Sequence, residues 1–367
     1  MFFFKNKKLV IDELIGQASI QFEDGHISQA QQTYNLILKR DPSNVIALNE
    51  LGRIALLHRK LGEAAEFFKK AISANPEPAI PYKNLGTTLC EMGSCEEGFA
   101  ALRCYAERTY QPSDNAAPHK ILHDQEQLTY LNTRTTAYII EEAARIDGPA
   151  INPNLAAPSI INQWNEKTPK ILVVDDFLTF DALRRLRNFS LGSTIWQRVY
   201  KNGYLGALPE HGLGSPLLAQ IIEELKTSLP SILTDMSLLQ FWSFKYDSRM
   251  KGIGLHADFA TININFWITP DEANLNPQSG GMVIWDKPAP ADWDFKTYNQ
   301  NEAAAFEFLT SNNATPTIIP YRANRAVIFD SSLFHETDTI MFQEGYINRR
   351  IGFTLLFGKR ETLRIRS

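Results

Sequence analysis

The sequence predicts a multidomain chain: an all-α N-terminal domain of helical repeats, followed by an α+β domain built on a double-stranded β-helix, or jelly roll. Three observations predict it. Small, large and proline positions recur at an offset of 34 residues through the first third. Short β-rich runs separated by turn-forming clusters fill the last two hundred residues. Glycines and prolines break the pattern between them. At 367 residues, 44% of them hydrophobic and 21% charged, the chain has the composition of a folded protein with room for two cores.

The repeat is read first. Pro42 and Pro76 are 34 residues apart, as are Ala30 and Ala64, and Tyr34 and Phe68. The middle copy runs Leu48, Leu51, Gly52, Ala64, Phe68, Ala71 and Pro76, and the third Tyr82, Leu85, Gly86, Gly93, Gly98 and Leu102. A weaker first copy has Leu14, Gln17 and Ala18 at its opening, with Gly25, Ala30, Tyr34 and Pro42 in place. Small residues let two antiparallel helices approach closely, and the proline stops the second helix before the next copy begins. This pattern resembles the tetratricopeptide repeat. The resemblance implies a groove that takes a protein or peptide partner.

Three copies need capping. The apolar residues between His119 and Arg145, among them Leu122, Leu128, Tyr138 and Ile140, are expected to supply further helices, giving a repeat domain over 1–146. Gly148, Pro149, Pro153 and Pro158 then mark a linker over 147–168, and the second domain spans 169–367.

In that domain, strands are expected at Ile171 to Val174, Leu238 to Tyr246, Thr261 to Ile268, Met282 to Trp285, Ala326 to Phe329 and Ile351 to Phe357. Helices are expected at Asp181 to Phe189 and Leu217 to Leu229. On a strand, residues i and i+2 face the same way, so His256 and Asp258 can offer a nitrogen and an oxygen to one metal ion. His335, 77 residues beyond Asp258, supplies a third ligand. Two histidines and one carboxylate make the facial triad of non-haem Fe(II) oxygenases.

With Gly280 and Gly281 opening a strand, Arg325 to Asp330 preceding His335, and Arg350 after it, the constellation resembles the 2-oxoglutarate- and Fe(II)-dependent dioxygenases, prolyl-hydroxylase-like members included. The resemblance covers about residues 170 to 360. It implies Fe(II) and 2-oxoglutarate as cofactors, with His256, Asp258 and His335 as catalytic metal ligands. It also implies Arg350 on the distal carboxylate of the cosubstrate, Tyr246 and Asn265 as further cofactor contacts, and hydroxylation with release of succinate and carbon dioxide. Asp258 disfavours halogenation, because related halogenases lack the carboxylate. Arg349 is the rival of Arg350, set aside because strand parity turns it outward with Ile351 while Arg350 faces inward with Gly352.

The remaining candidates are weaker. His119 and His123, four apart beside Asp124, read as a solvated or cap-helix pair, and His211 as a loop residue. Asn263 and Asn265 share a strand face and are expected either to line the pocket or to hydrogen-bond behind the residues that do. The segment 286–313 is either a lid over the site or a surface insertion.

Charge and targeting narrow the class. Lys plus Arg total 37 against 41 acidic residues, a net charge of −4 that argues against a nucleic-acid partner. No apolar run approaches the ~20 residues of a membrane span. The start, Met1 to Lys8, places aromatics before its positive charges, unlike a secretory signal, so a cytoplasmic protein is expected. Cys90, Cys95 and Cys104 are odd in number and clustered, which fits reduced thiols rather than a disulfide framework. The function expected is a dioxygenase that hydroxylates a protein or peptide recruited by the repeats. The alternatives are a small-molecule hydroxylase and an interaction scaffold with an inactive jelly roll.

Overall fold

The computed structural model describes residues 2–112 and 116–359. The chain divides into two compact units, Met1–Tyr110 and Gln111–Ser367.

The first unit is three helical hairpins: α1 (Phe2–Glu23) with α2 (Ile27–Arg40), α3 (Val45–Leu57) with α4 (Leu61–Ala74), and α5 (Ile80–Met92) with α6 (Cys95–Thr109). The small residues of the repeat do what their spacing predicts. A Cβ added to Gly52 would stand 2.5 Å from the Phe68 ring, and one added to Gly86 would meet Leu102 at 2.6 Å and the Gly98 carbonyl at 2.7 Å. The helices therefore cross at glycine, and Tyr34, Phe68 and Phe99 fill the hairpins, all fully buried. Asn44 caps α3 by accepting from the Ala47 amide, and Gly93, at φ 92°, closes α5 in the left-handed conformation glycine tolerates. Phe68→Ala is expected to destabilise this unit by about 3–5 kcal/mol, read in denaturant unfolding, because its rigid helical neighbours cannot collapse on the cavity.

The second unit begins with α7 (Pro118–Tyr130) and α8 (Pro158–Glu166), then β1 (Ile171–Val174), α9 (Phe180–Gly192), β2 (Arg198–Val199), β3 (Leu205–Ala207), α10 (Pro216–Ser228) and α11 (Pro230–Leu233). It continues through β4 (Ser237–Lys245), β5 (Arg249–Met250), β6 (Ile262–Trp267), β7 (Met282–Pro288), α12 (Phe295–Gln300), α13 (Glu302–Ser311), β8 (Pro316–Ile319), β9 (Ala326–Asp330), β10 (Leu333–Thr337), β11 (Ile340–Met341) and β12 (Ile351–Gly358). Seven strands form one antiparallel sheet in the order β1-β9-β6-β12-β4-β3-β2, three form a second in the order β10-β7-β8, and β11 pairs with β5. Apolar residues of both larger sheets share one core, including Val327 and Phe329 from β9 and Ile284 and Ile319 from β7 and β8.

Two boundaries differ from the sequence reading. The expected capping region belongs to the second unit: the Gln127 amide of α7 donates to the carbonyls of Leu191 and Ser193, and the Glu126 carboxylate meets the Arg349 guanidinium at 2.9 Å. Beyond α7 the chain is extended rather than helical, with Ile139 and Glu141 bonded to the hydroxyls of Thr194 and Ser193. His123 is likewise not a solvated residue. It is fully buried against the Tyr346 ring, and burial followed by the charge of Lys245 holds its pKa well below the ordinary value, so it is neutral.

The expected linker is also tied down. Ala150 and Ile151 donate to the Glu224 carboxylate, Ile151 bridges Leu178, and Trp164 of α8 is buried. Glycine and proline had marked where helix and strand stop, which is a different property from exposure.

The segment 286–313 is a packed insertion between β7 and β8 rather than a lid. Tyr298, Ala305 and Leu309 bury against Leu255, Ala257 and Phe334. Its Tyr298 carbonyl accepts from the Ala257 amide at 3.0 Å, and the Asn299 side chain donates to the Ala257 carbonyl at 2.8 Å.

Candidate metal centre and cleft

His256 and Asp258 do not lie on a long strand. The segment is held by a single antiparallel bridge, in which His256 and His335 exchange backbone bonds of 3.0 and 2.8 Å, and the Asp258 amide donates to the Ser331 carbonyl at 2.9 Å. The bridge sets the two imidazoles 4.3 Å apart, centroid to centroid.

Both rings are pinned the same way. The Nδ1 of His256 lies 2.8 Å from the Gly254 carbonyl, and that of His335 lies 2.9 Å from the Leu333 carbonyl. A carbonyl only accepts, so each Nδ1 carries a hydrogen and each Nε2 is the nitrogen left to face Asp258. Those nitrogens converge on one carboxylate, His256 Nε2 at 3.9 Å from Asp258 Oδ1 and His335 Nε2 at 3.5 Å from Oδ2. One ligand atom from each of the three residues lies within 4.8 Å of the others.

Burial, then the nearby His335, pushes His256 down to about 4 against the pull of Asp258, so its imidazole is neutral at neutral pH. Burial alone would raise the Asp258 carboxyl. The two neighbouring imidazoles and the Asn263 amide outweigh it and hold the group below its ordinary value, as an anion. Two imidazole nitrogens and a carboxylate oxygen, each oriented by an outer hydrogen bond, fit a divalent transition metal.

Behind Asp258 runs a relay that starts on β12 and passes through β6. The Thr354 hydroxyl donates to Asn265 Oδ1 at 2.6 Å, Asn265 Nδ2 to Asn263 Oδ1 at 2.7 Å, and Asn263 Nδ2 to Asp258 Oδ2 at 2.8 Å. Asn265, expected as a cofactor contact, lines the cleft, but its amide is engaged at both ends in holding the carboxylate. Asn263→Ala is expected to weaken metal binding about 10- to 100-fold by freeing Asp258 to rotate, measured by titration calorimetry.

The triad occupies one region of a cleft lined from both larger sheets, and Arg350 lines the same cleft. Strand register builds the floor in rows: Phe244, Gly352 and Trp267 lie side by side, then Trp242, Thr354 and Asn265. The Arg350 guanidinium, 4% exposed, donates from Nε to the Gly280 carbonyl at 2.6 Å and from Nη2 to that of Gly281 at 3.2 Å. Tyr246, Trp267 and Tyr321 surround it with ring centroids 5.0, 5.4 and 5.8 Å away. Among the described residues no carboxylate lies within ion-pairing distance of it, so a buried cation faces the cleft without an anion.

Arg349 points the other way, where Glu126 and Asp247 neutralise it at 2.9 and 3.4 Å. Tyr246 is buried in the cleft wall, its ring centroid 5.0 Å from the Arg350 guanidinium. His211 caps a short turn at Pro209–His211, and its Nδ1 accepts from the Leu208 amide. Thr337 and Thr354 escaped the sequence reading, although each shares strand parity with a residue already singled out, His335 or Gly352.

Comparison with known proteins identifies the first unit. Residues 15–78 match the family model described as Tetratricopeptide repeat, and the region is a tetratricopeptide-repeat array. A solved structure, "Second TPR of Spaghetti (RPAP3) bound to HSP90 peptide SRMEEVD", aligns at 17% identity with a TM-score of 0.27, covering 29% of this chain and 96% of that one. No curated protein matches the chain. Among the described residues, no helix is long and apolar enough to cross a membrane.

Proposed function

We propose that the second unit is a double-stranded β-helix dioxygenase that uses Fe(II) and 2-oxoglutarate to hydroxylate a protein or peptide held by the repeats. The observation that carries this reading is one cleft that brings together two imidazoles, a buried carboxylate and, apart from them, a buried arginine with no anionic partner among the described residues.

His256, Asp258 and His335 would hold Fe(II), which when bound supplies open coordination positions and the redox capacity to activate dioxygen. The chain's own residues do the rest. Arg350 binds the distal carboxylate of 2-oxoglutarate and thereby orients the 2-oxo acid end toward the triad. Trp242, Phe244, Ile253 and Met282 line the cleft with apolar surface that keeps water from the reacting atoms. The relay from Thr354 to Asp258 fixes the carboxylate without a proton, because each amide along it donates forward. The repeats raise the local concentration of a tethered substrate beside its active site.

The test is succinate release from 2-oxoglutarate by the full chain with Fe(II) and oxygen. The reading expects oxygen-dependent succinate, in slow uncoupled turnover before a substrate is found. Absence of turnover together with metal affinity indifferent to His256→Ala would leave the second unit a non-catalytic scaffold beside the repeats. Mass spectrometry of proteins captured by a His335-substituted variant, searched for hydroxylation by the wild type, would identify the substrate.

A further inference from the structure

The short segment that carries His256 and Asp258 has two hydrogen-bonding edges, and different elements satisfy them. The amides of His256 and Asp258 donate to the carbonyls of His335 and Ser331, at the turn between β9 and β10. The peptide groups of Ala257, between the two candidate ligands, face α12 of the 286–313 insertion instead. The Ala257 amide donates to the Tyr298 carbonyl at 3.0 Å, and its carbonyl accepts from the Asn299 side-chain amide at 2.8 Å.

The chemistry of a helix end explains the pairing. Tyr298 lies two residues from the end of the six-residue α12, so its carbonyl is one of those that no later turn of the helix can satisfy. Asn299 adds the missing donor from its side chain. One carbonyl and one amide thus reproduce the acceptor and donor that a residue of a neighbouring antiparallel strand would offer. A segment held by a single bridge on one edge is held on the other by a substitute for a strand.

The side chains follow the same division. Leu255 and Ala257 alternate with His256 and Asp258, Phe334 precedes His335, and all three bury against Tyr298, Ala305 and Leu309 of the insertion. At the start of the insertion the Ala289 amide donates to the Ser332 carbonyl at 2.8 Å. Both ligand-bearing segments therefore rest on one packed body, on the side away from the cleft.

We propose that Asn299 is a positioning residue for the metal centre: by fixing the Ala257 peptide it sets the separation at which His256 and Asp258 present their ligand atoms. The assignment rests on the metal-binding part of the dioxygenase reading and not on its cosubstrate. Ligands ordered before the metal arrives lose little freedom when it binds, so a contact that never touches the metal still raises its affinity. The insertion is then a support for the catalytic constellation, and its one polar side chain on the Ala257 carbonyl is the part that acts on geometry.

The experiment is titration of Co(II) into the full chain, with affinity read by calorimetry and coordination geometry by the visible absorption of the bound ion. Asn299→Leu keeps the size of the side chain and removes the donor. It is expected to weaken Co(II) binding about tenfold, the lower end of the effect of outer partners on metal affinity, and to change the absorption spectrum. Asn301→Ala is the control. Asn301 caps α13 by accepting from the Ala304 amide at 3.1 Å, so its loss loosens the same insertion and lowers the melting temperature without touching Ala257. Its Co(II) affinity and spectrum should be those of the wild type. Wild-type affinity and spectrum in Asn299→Leu, or an equal loss in Asn301→Ala, overturns the assignment alone. No Co(II) binding by the wild type overturns the metal centre and the assignment with it.

Discussion

Arg350→Gln is expected to weaken 2-oxoglutarate binding by roughly 100-fold with little change in unfolding free energy, whereas Arg349→Gln does the reverse. The two adjacent arginines are both buried, but the chain gives them opposite partners. Arg350 has only neutral carbonyls and aromatic rings around it and no anion among the described residues. Losing a buried charge-assisted contact to a ligand carboxylate costs about 2–5 kcal/mol of binding, which brackets a hundredfold. Removing its unpaired charge costs the fold little, because desolvation of that charge already opposes folding. Arg349 balances Glu126 and Asp247, both partly exposed, so its loss leaves two carboxylates short of a partner at about 1–3 kcal/mol of stability. Calorimetric titration and denaturant unfolding of both variants separate the two roles.

Asp258→Ala is expected to abolish metal-dependent stabilisation. A metal at 100 times its Kd stabilises a folded protein by about 2.7 kcal/mol if it does not bind the unfolded chain. The wild type should show that gain. The variant should show none, because an outer hydrogen bond alone is worth about 10- to 100-fold in affinity and the ligand itself more. The metal-free variant should melt somewhat lower than the wild type, since the contacts of the carboxylate outweigh its burial and the change leaves the Asn263 amide without its acceptor. Thermal melts with and without Mn(II) give both numbers.

The parts of this arrangement legible in the sequence were those fixed by local periodicity. A 34-residue offset exposes the helix crossings because glycine at 52 and 86 is required by close contacts in the second and third hairpins. Strand parity separated Arg350 from Arg349 and put His256 with Asp258, because alternation holds along any extended backbone, even one held by a single bridge.

What was not legible depended on contacts distant in sequence. Nothing near Gln127 announces that its amide will bond Leu191 and Ser193, so α7 looked like a cap for the repeats. Asn265 looked like a ligand contact because the relay ending on Asp258 needs Thr354, 89 residues away. The role of 286–313 likewise turned on Asn299 reaching the Ala257 carbonyl between His256 and Asp258.

The central claim is that the triad and Arg350 grip the same molecule from two ends of one cleft, and reciprocal linkage tests it most directly. Titrating 2-oxoglutarate into the full chain with and without Mn(II), and Mn(II) with and without 2-oxoglutarate, should give the same factor of mutual tightening, at least about tenfold. That factor should vanish in Asp258→Ala. Independent binding of the two, or 2-oxoglutarate affinity indifferent to the metal, would contradict the account.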